Sequence, residues 1–330
     1  MKSSCWLVIG AGNMGLRHVS HVRRLYPESK IILVSSQNNI QNESSLVVNS
    51  IEKALQHEPK YAIISNAAPS HCEVAEILIS KGIHCLIEKP LSDCYEKAEA
   101  LRKMAAKFPE VAVLVGYQMR YKPGFAFLKK KLAHNELGKI FFARASIGHY
   151  LPHWRPKSYV NSVSARSVLG GGVLLELSHE FDYLKALFGK PEQITCVSKK
   201  ASNLELDVVD TAMSIFQYSS GLLVSLHQDM ISLPPHRTLE IKAENETLYW
   251  DLRNDIIESY SYKDHQLRKI FESDFKKSEQ LYLAEIEHFI ACADQRVSPQ
   301  VSLDDACETM KMLEEALFSS KINILEGVKN

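Results

Sequence analysis

The feature that most constrains the fold is the segment GAGNMG at residues 10–15, which directly follows the apolar run CWLVI at residues 5–9. The chain has 14 glycines in 330 residues, so three of them at this spacing form an unusual concentration. An apolar run, a glycine turn and a helical stretch predict a strand that leads into a helix. The turn could bring the helix start close to a phosphate, or it could be an ordinary strand-to-helix turn.

The segments that follow favour the first interpretation. Further apolar runs lie at residues 31–34, 61–65, 84–87 and 111–115. Helical stretches lie at residues 14–25 and 72–80. This alternation is typical of a parallel sheet covered by helices, in which a G-x-G-x-x-G turn binds the pyrophosphate of a dinucleotide at the helix start. We therefore predict an α/β fold that begins with a Rossmann dinucleotide-binding domain over residues 1–120.

After about residue 120 the pattern changes to strands with few helices between them. Strands are predicted at residues 140–147, 193–198, 211–218, 222–228, 238–243 and 247–251. Helices are predicted at residues 173–188 and 279–293, and from about residue 303. Strands that are not separated by helices pair antiparallel, so residues 121–330 are predicted to form an α+β domain with a mostly antiparallel sheet.

Composition and charge exclude several classes of protein. The 39 basic and 39 acidic residues balance, which argues against a nucleic-acid-binding surface or a polybasic membrane anchor. No apolar run reaches the roughly 18 residues of a membrane span, and the first run is shorter than the apolar core of a signal peptide. The seven cysteines form no C-x-x-C pair and are typical of thiols in a reducing compartment. We predict a cytoplasmic protein.

The choice between NAD and NADP stays open at this stage. An acidic residue about 20 positions after the glycine turn would bind the ribose hydroxyls of NAD. Here the end of the second strand has Ser35, Ser36, Gln37 and Asn38, which include neither an acid nor an arginine. No charge would repel the 2′-phosphate of NADP, and no charge would neutralise it.

A lysine lies where substrates bind in open parallel sheets, beyond the carboxyl end of a strand. Lys89 follows the predicted strand at residues 84–87, and Pro90 fixes the backbone after it. Such a lysine can reach into the crevice and donate a hydrogen bond to a substrate oxygen. The alternative is a surface lysine before a turn, and residue type alone does not decide between the two.

A second candidate group lies at residues 170–182, where three glycines lead into a helical pattern. One face of a single helix over residues 173–188 would be apolar, and the opposite face would carry Glu176, His179 and Tyr183. A carboxylate three residues before a histidine can orient its imidazole. The alternative is a solvent-exposed polar face, which the glycines disfavour because they indicate a close approach of the backbone.

Taken in order, these segments resemble the glucose–fructose oxidoreductase/inositol dehydrogenase/MocA (Gfo/Idh/MocA) family over nearly the whole chain. Further matching motifs lie at residues 116–121, 209–212 and 287–289. The resemblance implies a Rossmann domain followed by a domain with a large open sheet that builds a homodimer or homotetramer. It also implies reversible hydride transfer between NAD or NADP and a carbinol of a sugar, a cyclitol or a related small molecule.

The resemblance implies that Lys89 contacts the reacting oxygen and that His179 is the general acid/base. Carbinol oxidation needs both, because a base must take the hydroxyl proton and a positive charge stabilises the developing alkoxide. In the family an aspartate usually lies four residues before the histidine, but that position is Leu175 here. Either Glu176 takes over this role as a third catalytic residue, or the acid is dispensable.

The resemblance also implies the binding residues. Those for the cofactor are Gly10, Gly12, Asn13, Met14, Gly15, Ser35, Ser36, Gln37, Ala68, Pro69, His71, Glu88, Lys89, Gln118 and Arg155. Those for the substrate are Lys89, Arg120, Trp154, Tyr159, Asp182 and Arg237. No metal is predicted, because Pro152 interrupts the helical spacing that His149 and His153 would need to bind zinc.

Two other functions remain open. A tightly held nucleotide could drive elimination or glycosidic cleavage through transient oxidation, or the chain could be a non-catalytic nucleotide sensor. The presence of both Lys89 and His179 argues against a sensor. The segments ELSHE at residues 176–180 and WRP at residues 154–156 resemble enzymes of surface-polysaccharide and sialic-acid-like sugar pathways.

Overall fold

The structure is a computed structural model that describes residues 4–37, 40–154, 158–275 and 279–325. Its strands are β1 (Cys5–Ile9), β2 (Lys30–Val34), β3 (Leu46–Val48), β4 (Tyr61–Ile64), β5 (His84–Glu88), β6 (Val113–Gly116), β7 (Ile140–Gly148), β8 (Gln193–Lys199), β9 (Thr211–Gln217), β10 (Leu223–Asp229), β11 (His236–Ala243), β12 (Glu246–Asp251), β13 (Ile256–Ser261) and β14 (Gln266–Glu272). Its α-helices are α1 (Asn13–Leu25), α2 (Ile51–Leu55), α3 (His71–Ile79), α4 (Tyr95–Ala105), α5 (Pro123–Ala133), α6 (Val173–Glu176), α7 (His179–Phe188), α8 (Glu279–Gln295) and α9 (Leu303–Leu325).

The chain forms two compact units. The first unit comprises residues up to Gln118 together with Glu279–Met310, and the second comprises Met119–Ser278 and the remainder of the chain. Residues 279–310 thus group with the first unit. The division predicted at residue 120 places them in the second domain instead. None of the described helices is long and apolar enough to cross a lipid bilayer.

The first unit contains a six-stranded parallel sheet in the order β3-β2-β1-β4-β5-β6. Strands β2 and β3 are added on one side of β1 and strands β4, β5 and β6 on the other, and Trp6 on β1 aligns with Ile31 on β2 and with Tyr61 on β4. Strands β1, β2, β4 and β5 are buried over almost their whole length, as expected for parallel strands with helices on both faces. This arrangement confirms the Rossmann prediction and leaves a crevice at the carboxyl ends of β1 and β4.

The second unit contains an eight-stranded sheet in the order β14-β13-β12-β11-β7-β10-β9-β8. All neighbours are antiparallel except β7 and β10, so the predicted large, mostly antiparallel sheet is confirmed. Strands β13 and β14 were not predicted from the sequence. Strand β14, with the sequence QLRKIFE, has no buried residue, so it lacks the alternation of apolar and polar positions that marks a half-buried strand.

The single helix predicted over residues 173–188 is wrong. The structure has two helices, because α6 ends at Glu176 and α7 begins at His179. Gln228 on β10 donates a hydrogen bond from Nε2 to the carbonyl oxygen of Leu177 at 2.8 Å, so a tertiary contact binds the backbone at the break. The polar face that a single helix would have given to Glu176, His179 and Tyr183 therefore does not exist, and Tyr183 is fully buried.

Candidate active site

The glycine turn after β1 fits a close backbone approach. Gly10 has a φ of +98°, and a Cβ on it would lie 2.9 Å from the backbone of Asn66, which follows β4. A Cβ on Gly15 would lie 1.8 Å from the carbonyl oxygen of Gly10. These two glycines are therefore required by the fold itself, since any side chain would push the turn away from β4 and α1 away from the turn.

Gly12 is different, because a Cβ there would meet no protein atom within 4 Å. Gly12 immediately precedes α1 and has no side chain that could accept from the first N–H groups of the helix. These N–H groups and the positive end of the helix dipole favour an anion. The turn fits the pyrophosphate of a dinucleotide, and the predicted contacts of Gly12, Asn13 and Met14 lie at this helix start.

The end of β2 carries the predicted ribose contacts. The N–H group of Gln37 donates to Ser35 Oγ at 3.0 Å, so this buried hydroxyl stabilises a turn of the backbone. The side chains of Ser36 and Gln37 are exposed beyond the strand end, while Asn38 lies outside the described residues. At these positions the structure shows no charged side chain that would favour the binding of NAD over NADP, or of NADP over NAD.

His71 connects the loops after β4 and β5. Its Nδ1 lies 3.0 Å from the carbonyl oxygen of Pro90, and its Nε2 lies 3.0 Å from that of Asn66. Burial lowers the pKa of His71 despite these carbonyl contacts, which act in the opposite direction. The predicted cofactor residues Ala68, Pro69 and His71 thus lie beside the crevice, and the imidazole of His71 is bound to the backbone of both loops.

Lys89 lies half-buried at the end of β5, and Glu88 before it is buried. Glu88 Oε1 is 2.7 Å from His18 Nε2, and Glu88 Oε2 accepts from the Lys89 N–H group at 3.2 Å. Burial would raise the pKa of Glu88, but the hydrogen bond with His18 and nearby positive charges outweigh it and lower this pKa. His18 was not predicted from the sequence, since its partner lies 70 positions away in the chain. Gln118, another predicted cofactor residue, donates from Nε2 to the Tyr282 hydroxyl at 3.0 Å.

In the second unit, the first turn of α7 begins with His179 and continues with Glu180 and Asp182, and all three are buried. Arg120 donates two hydrogen bonds to the Asp182 carboxylate. Arg237 Nε lies 2.8 Å from Glu180 Oε1. The predicted substrate residues Arg120 and Arg237 thus pair with acidic residues in the first turn of α7, the helix that begins at His179, and Asp182 is one of these acids. Their substrate role stays a prediction, and Glu180 is a partner that was not predicted from the sequence.

Glu176 accepts a hydrogen bond from Ser164 Oγ at 2.8 Å. The glycines before α6 allow the backbone to approach this part of the chain, since a Cβ on Gly171 would lie 2.2 Å from the carbonyl oxygen of Val163. The close approach that the three glycines indicated is therefore to the protein's own turn at residues 163–166. Whether Glu176 acts in catalysis stays a prediction.

The segment at residues 149–159 carries the remaining predicted contacts. Trp154 stacks on His149 with ring centroids 5.5 Å apart, and its Nε1 donates to the His149 carbonyl oxygen at 2.9 Å. The Tyr159 hydroxyl accepts from the Glu205 N–H group at 3.0 Å. Arg155 lies outside the described residues. In the described part of the chain no cluster of three or more His, Cys, Asp or Glu residues could hold a metal ion.

A Rossmann unit with an open glycine turn before its first helix, and a second unit built on a large, mostly antiparallel sheet, form the architecture of a dinucleotide-dependent oxidoreductase. The chain belongs to the Gfo/Idh/MocA family. Residues 5–117 match the family's NAD-binding Rossmann fold, described as an oxidoreductase family, and residues 125–249 match the GFO/IDH/MocA C-terminal domain. The predicted family resemblance is confirmed, and the cofactor is NAD or NADP.

Comparison with known proteins agrees with this assignment. The chain is 24% identical over 321 residues to scyllo-inositol 2-dehydrogenase (NAD(+)) of Bacillus subtilis, covering 91% of this chain and 89% of the relative. It is 23% identical over 257 residues to UDP-N-acetylglucosamine 3-dehydrogenase of Acidithiobacillus ferrooxidans, covering 77% and 75%. The crystal structure of the WlbA dehydrogenase from Bordetella pertussis in complex with NADH and UDP-GlcNAcA matches with a TM-score of 0.81 at 14% identity, covering 98% of each chain.

Proposed function

We propose that this oxidoreductase transfers a hydride between NAD(P) and a carbinol of a sugar or sugar derivative, with Lys89 and His179 acting on the reacting oxygen. The observation that carries the proposal is the position of Lys89 at the carboxyl end of β5, in the same sheet as the glycine turn. Ligands of open parallel sheets bind at this end. The names of the relatives support a sugar-like carbinol, since they include an inositol dehydrogenase and a dehydrogenase of a nucleotide-linked sugar.

The chemistry follows from the two side chains. NAD(P), when bound, accepts or supplies the hydride. In the oxidation direction, the imidazole of His179 takes the hydroxyl proton of the carbinol, and the ammonium group of Lys89 stabilises the negative charge that develops on the oxygen. In the reduction direction, His179 returns the proton. Arg120 and Arg237 hold the acidic residues in the first turn of α7, which begins at His179.

The test uses the variants Lys89→Met and His179→Asn with a panel of inositols, sugars and nucleotide-linked or acidic sugars. Each variant is expected to lose about 100-fold or more in kcat/KM, while NADH binding measured by fluorescence is retained. A variant at an exposed lysine of similar length, Lys81→Met, is the control and keeps wild-type activity. Near-normal turnover in both site variants would refute the assignment of the two residues.

We also propose that the protein forms homo-oligomers through the outer face of its eight-stranded sheet. Large apolar side chains are exposed on this face of the neighbouring strands β8, β9 and β10: Val197, Met213, Ile215 and Leu223. Contiguous exposed apolar surface of this kind is typical of protein interfaces. The variant Met213→Glu/Ile215→Glu is expected to be a monomer in sedimentation experiments, whereas Val168→Glu, at an exposed apolar residue outside the sheet, keeps the wild-type mass. An unchanged mass in both variants would contradict this interface.

A cytoplasmic location is part of the same proposal. All seven cysteines are thiols without a disulfide, which fits a reducing compartment. Fractionation of cells that express the tagged protein from its own promoter tests the location. Recovery in an oxidising compartment would contradict it.

A further inference from the structure

A buried group of titratable side chains lies in the first unit behind Lys89. Its members come from three separate elements, and each is at least nine-tenths buried: His18 and His21 from α1, Glu88 from β5, and Tyr282 and Glu285 from α8. The proposed reaction does not use any of them directly. Burying several such groups together is costly unless they pair with one another.

One carboxylate joins two parts of this group. Glu88 Oε1 is 2.7 Å from His18 Nε2, and Glu88 Oε2 accepts from the Lys89 N–H group at 3.2 Å. The His18 ring is itself oriented by the ring of Tyr282, edge-on at 6.1 Å. A fully buried imidazole therefore fixes the carboxylate, and the carboxylate fixes the backbone of the residue that carries the proposed ammonium group.

The second carboxyl group of the cluster behaves differently. Glu285 is fully buried, and neither of its oxygens has a hydrogen-bond partner among the described residues. Burial, and then the charge of Glu88, raises the pKa of Glu285 well above its ordinary value. The ionised form of Glu285 is therefore disfavoured, and Glu88 is the carboxylate of this cluster that has hydrogen-bond partners.

We propose that Glu88 is a positioning residue for Lys89: its carboxylate, fixed by His18, accepts from the backbone N–H group of Lys89 and so holds in place the residue that carries the proposed ammonium group. This inference rests on the proposed role of Lys89 in the reaction. The titratable groups that face Glu88 are His18 from α1, His71 from α3, Lys89 itself, and Tyr282 and Glu285 from α8. Of the groups near Glu88, only Lys89 is a proposed catalytic residue.

The variant Glu88→Gln tests the inference, because it keeps the size of the side chain but leaves one acceptor oxygen where the carboxylate uses two, one toward His18 and one toward the Lys89 N–H group. We expect kcat to fall about 10-fold or more, with KM for NAD changed by less than about 2-fold. The matched control is Glu285→Gln, which makes the same substitution in the same cluster and leaves both quantities unchanged.

A second measurement does not depend on turnover. The rate at which an acetylating reagent modifies Lys89, followed by peptide mass spectrometry, is expected to rise in Glu88→Gln, because a Lys89 backbone that the carboxylate no longer holds lets the half-buried side chain reach the reagent more often. If the wild-type protein oxidises no sugar but this rate rises, the proposed function fails and the positioning inference stands. Equal rates in wild type, Glu88→Gln and Glu285→Gln would overturn the inference.

The variant His18→Asn provides an independent route to the same answer if Glu88→Gln does not fold. It leaves the carboxylate in place but removes the ring that orients it. We expect a fall in kcat in the same direction, and no further fall when His18→Asn is combined with Glu88→Gln, because both act through one carboxylate. Additive effects of the two substitutions would contradict the inference.

Discussion

Arg120 and Asp182 form a two-point ion pair in the interior of the second unit, in which Nε donates to Oδ2 at 2.7 Å and Nη2 donates to Oδ1 at 2.9 Å. The arginine is 4% exposed and the aspartate is fully buried. Asp182 lies in the first turn of α7, which begins at His179. The ion pair therefore fixes the start of the helix that carries the proposed general base.

Breaking this pair is expected to destabilise the protein strongly. In Arg120→Ala the carboxylate of Asp182 remains buried without its main partner, which should lower the free energy of unfolding by about 3–5 kcal/mol. Urea denaturation measures the change. Arg144→Ala is the control, because Arg144 is largely exposed and its nitrogen lies 3.6 Å from Glu240, and it should cost less than about 1 kcal/mol. Similar small losses in both variants would show that the buried pair does not hold the helix.

Alanine at Gly12 and at Gly15 should separate nucleotide binding from folding. Gly12 has an extended backbone with φ of −73° and open space around it, so Gly12→Ala should change the free energy of unfolding by less than about 0.5 kcal/mol. Its Cβ would point into the space proposed for the pyrophosphate, so the Kd for NADH should rise about 10-fold, or about 1.4 kcal/mol. In Gly15→Ala the Cβ meets the backbone, and the loss of stability should reach about 3 kcal/mol. Unchanged NADH binding by Gly12→Ala would contradict the proposed phosphate site.

The buried acid Glu285 should make stability depend on pH. Burial and the charge of Glu88 raise its pKa in the folded protein well above the ordinary 4.5. The folded state therefore keeps a proton that the unfolded chain releases, and the stability gained below the ordinary pKa is lost as the pH rises through the folded-state pKa. Glu285→Gln removes this dependence, so the variant should gain stability relative to wild type between about pH 5 and pH 8.

Thermal unfolding of both proteins across this pH range measures the difference. Glu279→Gln is a control on the same helix, since its side chain is half-exposed and pairs with Arg24 at the surface. Its effect should stay below about 1 kcal/mol. A constant difference between Glu285→Gln and wild type at all pH values would contradict a raised pKa for Glu285.

Hydroxyl groups of α9 cover the edge of the large sheet. Strand β8 lies at this edge, and the N–H groups of Cys196 and Ser198 donate to Ser319 Oγ and Ser320 Oγ, each at 3.0 Å. Ser320→Ala leaves the buried N–H group of Ser198 without this acceptor and should lower the free energy of unfolding by about 1–3 kcal/mol. Ser80→Ala, at an exposed hydroxyl, should cost less than about 0.5 kcal/mol. A Ser320→Ala effect as small as that of the control would show that water replaces the hydroxyl.

The sequence predicted most of the fold because its signals are local. Strands β1, β2, β4 and β5 were each predicted within one residue of their bounds, since a strand buried on both faces is a continuous apolar run. The helix over residues 173–188 was mispredicted for the opposite reason. Its apolar spacing continues across residue 177, and periodicity along the chain cannot register a hydrogen bond from Gln228 on a later strand.

The amino-acid sequence by itself determined the dinucleotide-binding turn, the family and the position of Lys89 at a strand end, because each depends on residues that are adjacent in the chain. Only the tertiary structure decided which charges pair. His18 and Glu88 are 70 positions apart, and Arg120 and Asp182 are 62 positions apart. No local pattern marks such partners, since an ion pair depends on distance through space and on burial, and both arise only when the chain has folded.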